Sequence, residues 1–314
     1  MSVKQAIVFG APRSGTTFLM GALEALPAAE CVSGNLLPVG VVHLAAQDLA
    51  TDVRELLQRS FAGAFVDYLD SSAYRARAPA LRKWWISGHR PAALRAAAQG
   101  RRLESILVYK EPFLAFVPEL AYEAFPDARL IYLLRDGRDV ADSLVRSYDV
   151  LSDEKLRGLA SNEVMLGRAL GDLYIPWWVE EGKERAFLDA SQYARAVWMW
   201  REMVRRCRRF LDRADVIAAG RVLTVRYEAL VSDPLAQGDA IAAHLGQQLG
   251  AAARARLGTA HARSVGNHTR RADAEVIEAE RLAGAELEAL GYPLGAPVGP
   301  VAGTTAAVAS TPPL

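Results

Sequence analysis

The chain of 314 residues is 51% hydrophobic and 23% charged, and its formal net charge is +1. This length and composition predict a globular protein with a sizeable core, built as one large α/β domain or two small ones. The well-mixed charges give no support for nucleic acid or a general anionic surface as a partner, and two cysteines, Cys31 and Cys207, do not suggest a disulfide framework or a zinc site.

We expect a cytoplasmic protein without a membrane span. The first predicted strand begins a few residues after Met1, which leaves no room for a signal peptide. No apolar run approaches the length of a membrane-spanning helix. The low cysteine count agrees with a reducing compartment.

The first predicted elements are a strand at residues 6–9 and a helix that begins near Thr16, joined by a loop between Gly10 and Gly15. The strand is a short apolar run, and the helix has apolar residues at helical spacing. Glycines let the loop turn with its N–H groups pointing inward, and the helix start adds unpaired N–H donors and partial positive charge. The stretch therefore predicts a binding site for a phosphate-like anion.

Strands and helices alternate along the rest of the chain. After an irregular connection at 27–40, the predicted elements are a helix at 41–57, helical segments near 61–69 and 81–86, a strand at 105–110, a helix at 113–125, a strand at 130–134, a helix through 140–148, an insertion at 151–188, a helix at 193–210, a strand at 222–227 and a helix that ends near 249. This order predicts an α/β fold with a central parallel sheet covered by helices on both faces. We expect one domain over 1–294, with helical insertions near 41–104 and 151–192, and a disordered tail at 295–314.

Charged side chains follow the predicted strands at the sheet edge where α/β proteins bind ligands. Lys110 and Glu111 lie at the end of the second strong strand, and Arg135 follows the third. Arg135 and Ser143, eight residues later on a helix, predict a second anion site through charge-assisted and hydroxyl hydrogen bonds. Two anion sites at one sheet edge suit a nucleotide that is phosphorylated at two distant positions.

The glycine-bounded loop has the spacing of a nucleotide P-loop, but Thr16 stands in place of the lysine and the cation is Arg13. Nucleoside triphosphatases need that lysine and magnesium for the β and γ phosphates, so the sequence argues against ATP.

Residues 12–17, P-R-S-G-T-T, resemble the 5′-phosphosulfate loop, P-[KR]-S-G-T-[TS], of sulfotransferases that use 3′-phosphoadenosine 5′-phosphosulfate (PAPS). Residues 131–143 resemble the 3′-phosphate motif of that family, and residues 225–230 resemble a third family landmark. The closest resemblance in motif is to the tyrosylprotein and bacterial branch.

The resemblance implies a P-loop-like three-layer fold and a role for particular residues. The donor-binding residues that it implies are Arg13, Ser14, Gly15, Thr16, Thr17, Arg135, Ser143, Tyr227 beside the adenine, and Arg270 or Arg271 near the 3′-phosphate. Arg13 would stabilise the leaving phosphate and Lys110 the sulfonyl oxygens. The base is open between Glu111, His43, His89 or none, because the place of the glutamate base in the tyrosylprotein branch falls at Gly34.

We therefore expect in-line transfer of a sulfonyl group from PAPS, without a metal, which leaves 3′,5′-adenosine bisphosphate. The acceptor would be a hydroxyl, or as a second choice an amine, of a small molecule, glycan or peptide. Trp84, Trp85, Trp177 and Trp178 lie in the insertions and are candidates for the wall of an apolar acceptor pocket. Two alternatives stay open: an ATP-dependent P-loop kinase or hydrolase, and a nucleotide-binding scaffold without catalysis.

Overall fold

The computed structural model of the chain describes residues 4–26, 29–32, 36–70, 106–160 and 166–295. The strands in these ranges are β1 Lys4–Phe9, β2 Ala29–Cys31, β3 Ile106–Lys110, β4 Arg129–Leu134, β5 Gly167–Leu170, β6 Leu173–Pro176 and β7 Val222–Arg226. The α-helices are α1 Thr16–Glu24, α2 Val39–Ala45, α3 Thr51–Asp70, α4 Pro118–Ala124, α5 Gly137–Tyr148, α6 Asp153–Ala160, α7 Glu184–Asp189, α8 Gln192–Leu211, α9 Ala214–Ala219, α10 Tyr227–Ser232, α11 Pro234–His244, α12 Ala251–Leu257 and α13 Asp273–Ala289. Short 3-10 turns occupy Pro112–Phe116, Ala262–Ser264 and Asn267–Arg270.

The main sheet has five strands in the order β2-β3-β1-β4-β7, and all neighbouring pairs are parallel. The predicted parallel α/β sheet is thus confirmed. The central strand β1 pairs with β3 on one side, where Val8 lies opposite Lys110, and with β4 on the other, where Val8 lies opposite Ile131. The loop after β1 therefore emerges between the ends of β3 and β4.

Alternate side chains of the strands enter two separate cores because both faces of the sheet are covered. Ile7 and Phe9 of β1 belong to the core beneath α5 and α8, whereas Ala6 and Val8 belong to the core beneath α1, α11 and α12. Helices α1 and α5 follow the adjacent strands β1 and β4 but pack on opposite faces. This divergence opens a crevice at the carboxyl ends of the two strands, where open α/β sheets bind ligands.

The two predicted insertions differ from their expected form. The segment 151–192 contains α6 and α7 but also an antiparallel hairpin of β5 and β6, whose turn has Gly171 at φ 64°. The helix expected at 41–57 is divided into α2 and α3, and residues 71–105, including the segment expected near 81–86, lie outside the described ranges. The predicted tail also lies outside them from residue 296 onward.

The structure also differs from the predicted elements in two smaller ways. The helix expected at 113–125 is a 3-10 turn followed by α4, and the break coincides with Pro118, which lacks an N–H group and occupies the first turn of the new helix. The connection expected to be irregular at 27–40 contains the three-residue edge strand β2.

Among the described helices, none combines the length and apolar character needed to cross a bilayer.

Candidate active site

The loop between β1 and α1 has a backbone that only particular residues can adopt. Gly10, Arg13 and Gly15 have positive φ angles of 145°, 74° and 92°. A Cβ atom on Gly10 would lie 2.2 Å from the Leu133 carbonyl oxygen, and one on Gly15 would lie 2.5 Å from Cδ2 of Tyr227. Both glycines are therefore required by close approach as well as by conformation.

Helix α1 starts directly after this loop, and its first turn presents N–H groups to the crevice. Gly15 is the N-cap, no side chain caps the helix start, and its first turn contains no acidic residue. Uncapped N–H donors and the positive end of the helix dipole together favour a bound oxyanion.

Arg13 lies at the mouth of the loop and reaches across to α5. Its Nε donates to Ser143 Oγ at 2.9 Å, and its Nη1 donates to the Tyr148 hydroxyl at 3.2 Å. The guanidinium carbon is 5.2 Å from the centroid of the Tyr148 ring. The structure therefore brings together Arg13 and Ser143, which the sequence assigns to two different anion sites.

Lys110 approaches the same loop from the end of β3. Its Nζ donates to Thr17 Oγ1 at 3.3 Å, and it has no ion pair within 4.0 Å to a carboxylate of the described residues. Thr16 is buried, whereas Thr17 is exposed at the crevice. The Lys110 ammonium is thus a free cation at the start of α1 and not half of a local salt bridge.

Arg135 is buried and connects three segments of the site. Its Nη1 donates to the Arg13 carbonyl oxygen at 2.7 Å, and its Nη2 donates to the Ser264 carbonyl oxygen at 2.5 Å. Its guanidinium carbon lies 4.4 Å from the centroid of the Tyr227 ring, and the Tyr227 hydroxyl is 2.7 Å from Ser264 Oγ. Arg135 therefore fixes the anion loop and the segment around Ser264 relative to each other.

Two buried polar atoms beside the loop have no hydrogen-bond partner among the described residues. They are Ser14 Oγ and Arg135 Nε. A buried donor without a partner is costly, and one oxyanion at the loop would supply an acceptor for either group. The donor chemistry of the loop therefore fits a phosphate or sulfate ester.

A cavity of about 860 Å³ extends from this loop to the β5–β6 hairpin. Its aromatic wall consists of Phe113, Phe116, Tyr174, Trp177 and Trp178. The cations that line it are Arg13, Lys110, Arg135, Arg146 and Lys155. No aspartate or glutamate is present in the described part of the lining. The lining thus combines cationic side chains with an aromatic wall. Trp84 and Trp85 lie outside the described ranges.

The candidate bases occupy different places. Glu111 is not among the cavity-lining residues; its carboxylate accepts hydrogen bonds from the Phe113 N–H at 3.0 Å and the Tyr109 hydroxyl at 3.4 Å. Burial raises the pKa of the Glu111 carboxyl above its ordinary value. His43 does not line the cavity either; its ring lies 5.2 Å from that of Trp177, which does, and burial lowers the pKa of His43. His89 and Gly34 lie outside the described ranges.

The late basic loop is held against α5 by a buried carboxylate. Asp139 accepts hydrogen bonds from the N–H groups of Gly266 and His268 and contacts His268 Nδ1 at 2.8 Å. Burial opposes the ionisation of Asp139, but the His268 hydrogen bonds outweigh it and lower the Asp139 pKa. This anchoring places Ser264 and His261 in the cavity lining.

The two arginines of that loop do not line the cavity. Arg270 is exposed, and Arg271 donates to Asp142 at 3.1 Å and to Glu275 at 3.0 Å. By contrast, sequence patterns did not point to Ser264, His261 or Tyr148, all of which line the cavity. Ser264 belongs to a 3-10 turn and His261 directly precedes it, so neither shows the periodicity of a strand or helix.

The chain is similar to several known proteins. A family model described as "Sulfotransferase family" matches residues 6–173. Two solved structures are similar in fold. A sulfotransferase from Mycobacterium avium is 16% identical, with 94% of this chain and 79% of that chain covered and a TM-score of 0.47. The sulfotransferase domain of the Synechococcus olefin synthase is 19% identical, with 90% and 94% covered and a TM-score of 0.46. No curated protein sequence matches the chain significantly.

Proposed function

Because the chain belongs to the sulfotransferase family, we propose that it transfers a sulfonyl group from PAPS to a hydroxyl group of an acceptor and releases 3′,5′-adenosine bisphosphate. The observation that carries this proposal is the convergence of Arg13, Lys110 and Arg135 on one loop that also presents the uncapped start of α1. Such a site offers several donors to an anionic group without the P-loop lysine.

The proposed donor site uses each part of the loop for a different portion of PAPS. The backbone N–H groups of residues 15–17 and the hydroxyls of Ser14, Thr16 and Thr17 hold the 5′-phosphosulfate, whereas the N–H of Ser14 donates to the Ala11 carbonyl oxygen at 3.0 Å. Ser143 and the unpartnered Nε of Arg135 bind the 3′-phosphate. Arg271 is engaged by carboxylates, and neither Arg271 nor the exposed Arg270 lines the cavity, so neither is assigned to the donor here. Tyr227, packed against Gly15, lies beside the adenine.

The chemical step breaks the bond between sulfur and the bridging oxygen of the 5′-phosphate while the acceptor oxygen bonds to sulfur from the opposite side. Negative charge moves onto the bridging oxygen, and Arg13 stabilises it there. Lys110 binds the sulfonyl oxygens, which orients the group for in-line attack. Electrostatic donors of this kind contribute about 10²–10³ in kcat each.

The acceptor hydroxyl gives up its proton in the same step, and Glu111 and His43 are the described candidates for the base, beside His89, which lies outside the described ranges. Glu111 shares the strand end with Lys110, and burial raises the pKa of its carboxyl, which makes the carboxylate a stronger base than an ordinary glutamate. His43 contacts Trp177, so it could take the proton only if its ring reached the acceptor beyond the Trp177 side chain. Single Glu111→Gln and His43→Gln variants separate them, because loss of a base lowers kcat by about 10²–10⁴ and flattens the pH profile.

The test is consumption of PAPS by the purified protein with a panel of phenols, alcohols and amines, with 3′,5′-adenosine bisphosphate measured as product. Thermal shift with the bisphosphate, with ATP and magnesium, and with neither distinguishes the alternatives. Stabilisation by ATP with magnesium alone would point to a kinase or hydrolase. Stabilisation by the bisphosphate without turnover of any acceptor would point to a scaffold that has lost catalysis.

A further inference from the structure

Some of the cationic side chains that line the cavity have protein partners, and others do not. The three cations nearest the anion loop, Arg13, Lys110 and Arg135, are accounted for by the donor in the proposed function. Arg146, on the α5 side, is bound by Asp142 at 3.2 Å. Lys155 of α6 lines the cavity and forms no hydrogen bond or ion pair through its ammonium group with the described residues. Lys155 is exposed, so among the described residues its ammonium group lines the cavity without a protein partner.

The segment that leads to Lys155 is strained and held in place. Asp149 and Leu151 have left-handed φ angles of 50° and 59°, which are unfavourable for side chains other than glycine. Gln192 Nε2 donates to Asp149 Oδ1 and to the Val150 carbonyl oxygen, both at 2.8 Å. Such a conformation persists only where the surrounding contacts determine it, and strained residues cluster at ligand sites.

A second anchor fixes the start of α6 itself. Arg195 Nη1 donates to the Leu151 carbonyl oxygen at 2.9 Å and to Asp153 Oδ1 at 2.7 Å. Leu156, next to Lys155, is fully buried. The backbone of Lys155 is therefore held from both sides, and its side chain extends from a fixed position on the cavity wall.

Among the described residues, Asp149 is a nearby carboxylate that could compete for Lys155, but both of its oxygens already accept hydrogen bonds. Gln192 and Ser152 donate to Asp149, and with a smaller through-space effect of Lys155 they lower the pKa of its carboxyl. No salt bridge joins Asp149 and Lys155. The Lys155 ammonium is consequently available to an anionic group that enters the cavity.

The same cavity has an aromatic wall. Trp178 stacks on Phe116 at 6.1 Å with an interplanar angle of 18°, and Trp177 lies 5.0 Å from the same ring. Flat aromatic walls favour an aromatic ligand through offset and edge contacts. The described lining has no carboxylate to pair with an ammonium group, so it disfavours a cationic ligand.

We propose that the acceptor is a phenol that carries an anionic group, and that Lys155 binds this group and thereby selects the acceptor. This inference rests on the proposed sulfonyl transfer. The phenol oxygen faces Arg13 and Lys110, the ring packs on the aromatic wall, and the anionic group faces Lys155. A phenol also suits a cationic site because its oxygen ionises far more readily than that of an aliphatic alcohol.

Three phenols whose para side chain carries an anionic, no or a cationic terminal group test this assignment: 3-(4-hydroxyphenyl)propanoate, 4-ethylphenol and tyramine. For each, kcat/KM with PAPS and the Kd for the protein saturated with 3′,5′-adenosine bisphosphate are measured. We expect the propanoate to have a kcat/KM at least about fivefold higher and a Kd at least about fivefold lower than tyramine, the scale of one partly exposed ion pair. Lys155→Glu is expected to reverse this order and to change 4-ethylphenol by less than about twofold. Lys4→Glu, the same charge change at the exposed opposite end of β1, is the matched control and keeps the wild-type order.

Equal or better use of tyramine by the wild-type protein would overturn the inference, as would an unchanged order in Lys155→Glu or binding of none of the three phenols. Lys155→Gln guards against an effect of the introduced acid and should abolish the preference without reversing it. A wrong acceptor assignment leaves binding of 3′,5′-adenosine bisphosphate intact. Loss of that binding in the wild-type protein would instead refute the proposed function.

Discussion

Replacement of Arg13 by alanine should separate catalysis from stability. The Arg13 side chain is exposed, and its protein contacts are two hydrogen bonds, to Ser143 and Tyr148, with a ring contact to the latter. Exposed polar contacts of this kind contribute at most about 1 kcal/mol to the free energy of unfolding. The left-handed φ of 74° at this position does not change the free energy of unfolding further, because alanine and arginine have the same backbone penalty there.

The effect on turnover should be far larger. If Arg13 stabilises the charge that develops on the bridging oxygen, its loss lowers kcat by about 10²–10³. The assays are denaturant unfolding and release of 3′,5′-adenosine bisphosphate from PAPS at saturating acceptor. Arg157→Ala is a matched control, because Arg157 is also an exposed arginine with one ion pair, to Asp172, but lies outside the cavity lining. Near-normal turnover by a folded Arg13→Ala protein would refute the mechanism.

Three further outcomes follow from contacts in and around the loop. Gly15→Ala forces a Cβ against the Tyr227 ring, so calorimetry should show at least tenfold weaker binding of 3′,5′-adenosine bisphosphate, on the order of the 1–3 kcal/mol cost of overpacking. Glu111 has a pKa raised by burial, so the folded state holds its proton more tightly and wild-type stability falls as pH rises from the ordinary glutamate pKa to the raised one. Urea unfolding across that window should show a smaller fall in Glu111→Gln. Asp139→Asn should loosen the loop at Gly266 and His268, which hydrogen exchange of those N–H groups would report as faster exchange.

The sheet and the strand-end residues could be predicted because both depend on local pattern. Short apolar runs mark β1, β3, β4 and β7, and the parallel arrangement brings Lys110 and Arg135 to the edge where the loop with Arg13 lies. Charged residues directly after buried strands need no tertiary information to be located. The contact of Arg13 with Ser143 could not be predicted in this way, but it leaves the predicted location of the site at this sheet edge unchanged.

Other parts depend on contacts that no local pattern records. The hairpin of β5 and β6 interrupts an insertion expected to be helical, although Gly171 and Asp172 form a turn signal of the type that joins two strands. Ser264 reaches the site because Asp139 binds the backbone two and four residues further on, a contact between segments far apart in sequence. Tyr148 is at the end of α5 and meets Arg13 only through the packing of the loop against that helix.

Calorimetric comparison of 3′,5′-adenosine bisphosphate with adenosine 5′-monophosphate and with ATP and magnesium tests the central claim most directly. A second phosphate bound by charge-assisted hydrogen bonds should make the bisphosphate bind at least about tenfold more tightly than the monophosphate. Ser143→Ala should reduce this advantage and leave the affinity for the monophosphate nearly unchanged. Equal affinity for the two adenosine nucleotides, or tightest binding of ATP with magnesium, would contradict a donor site built for PAPS.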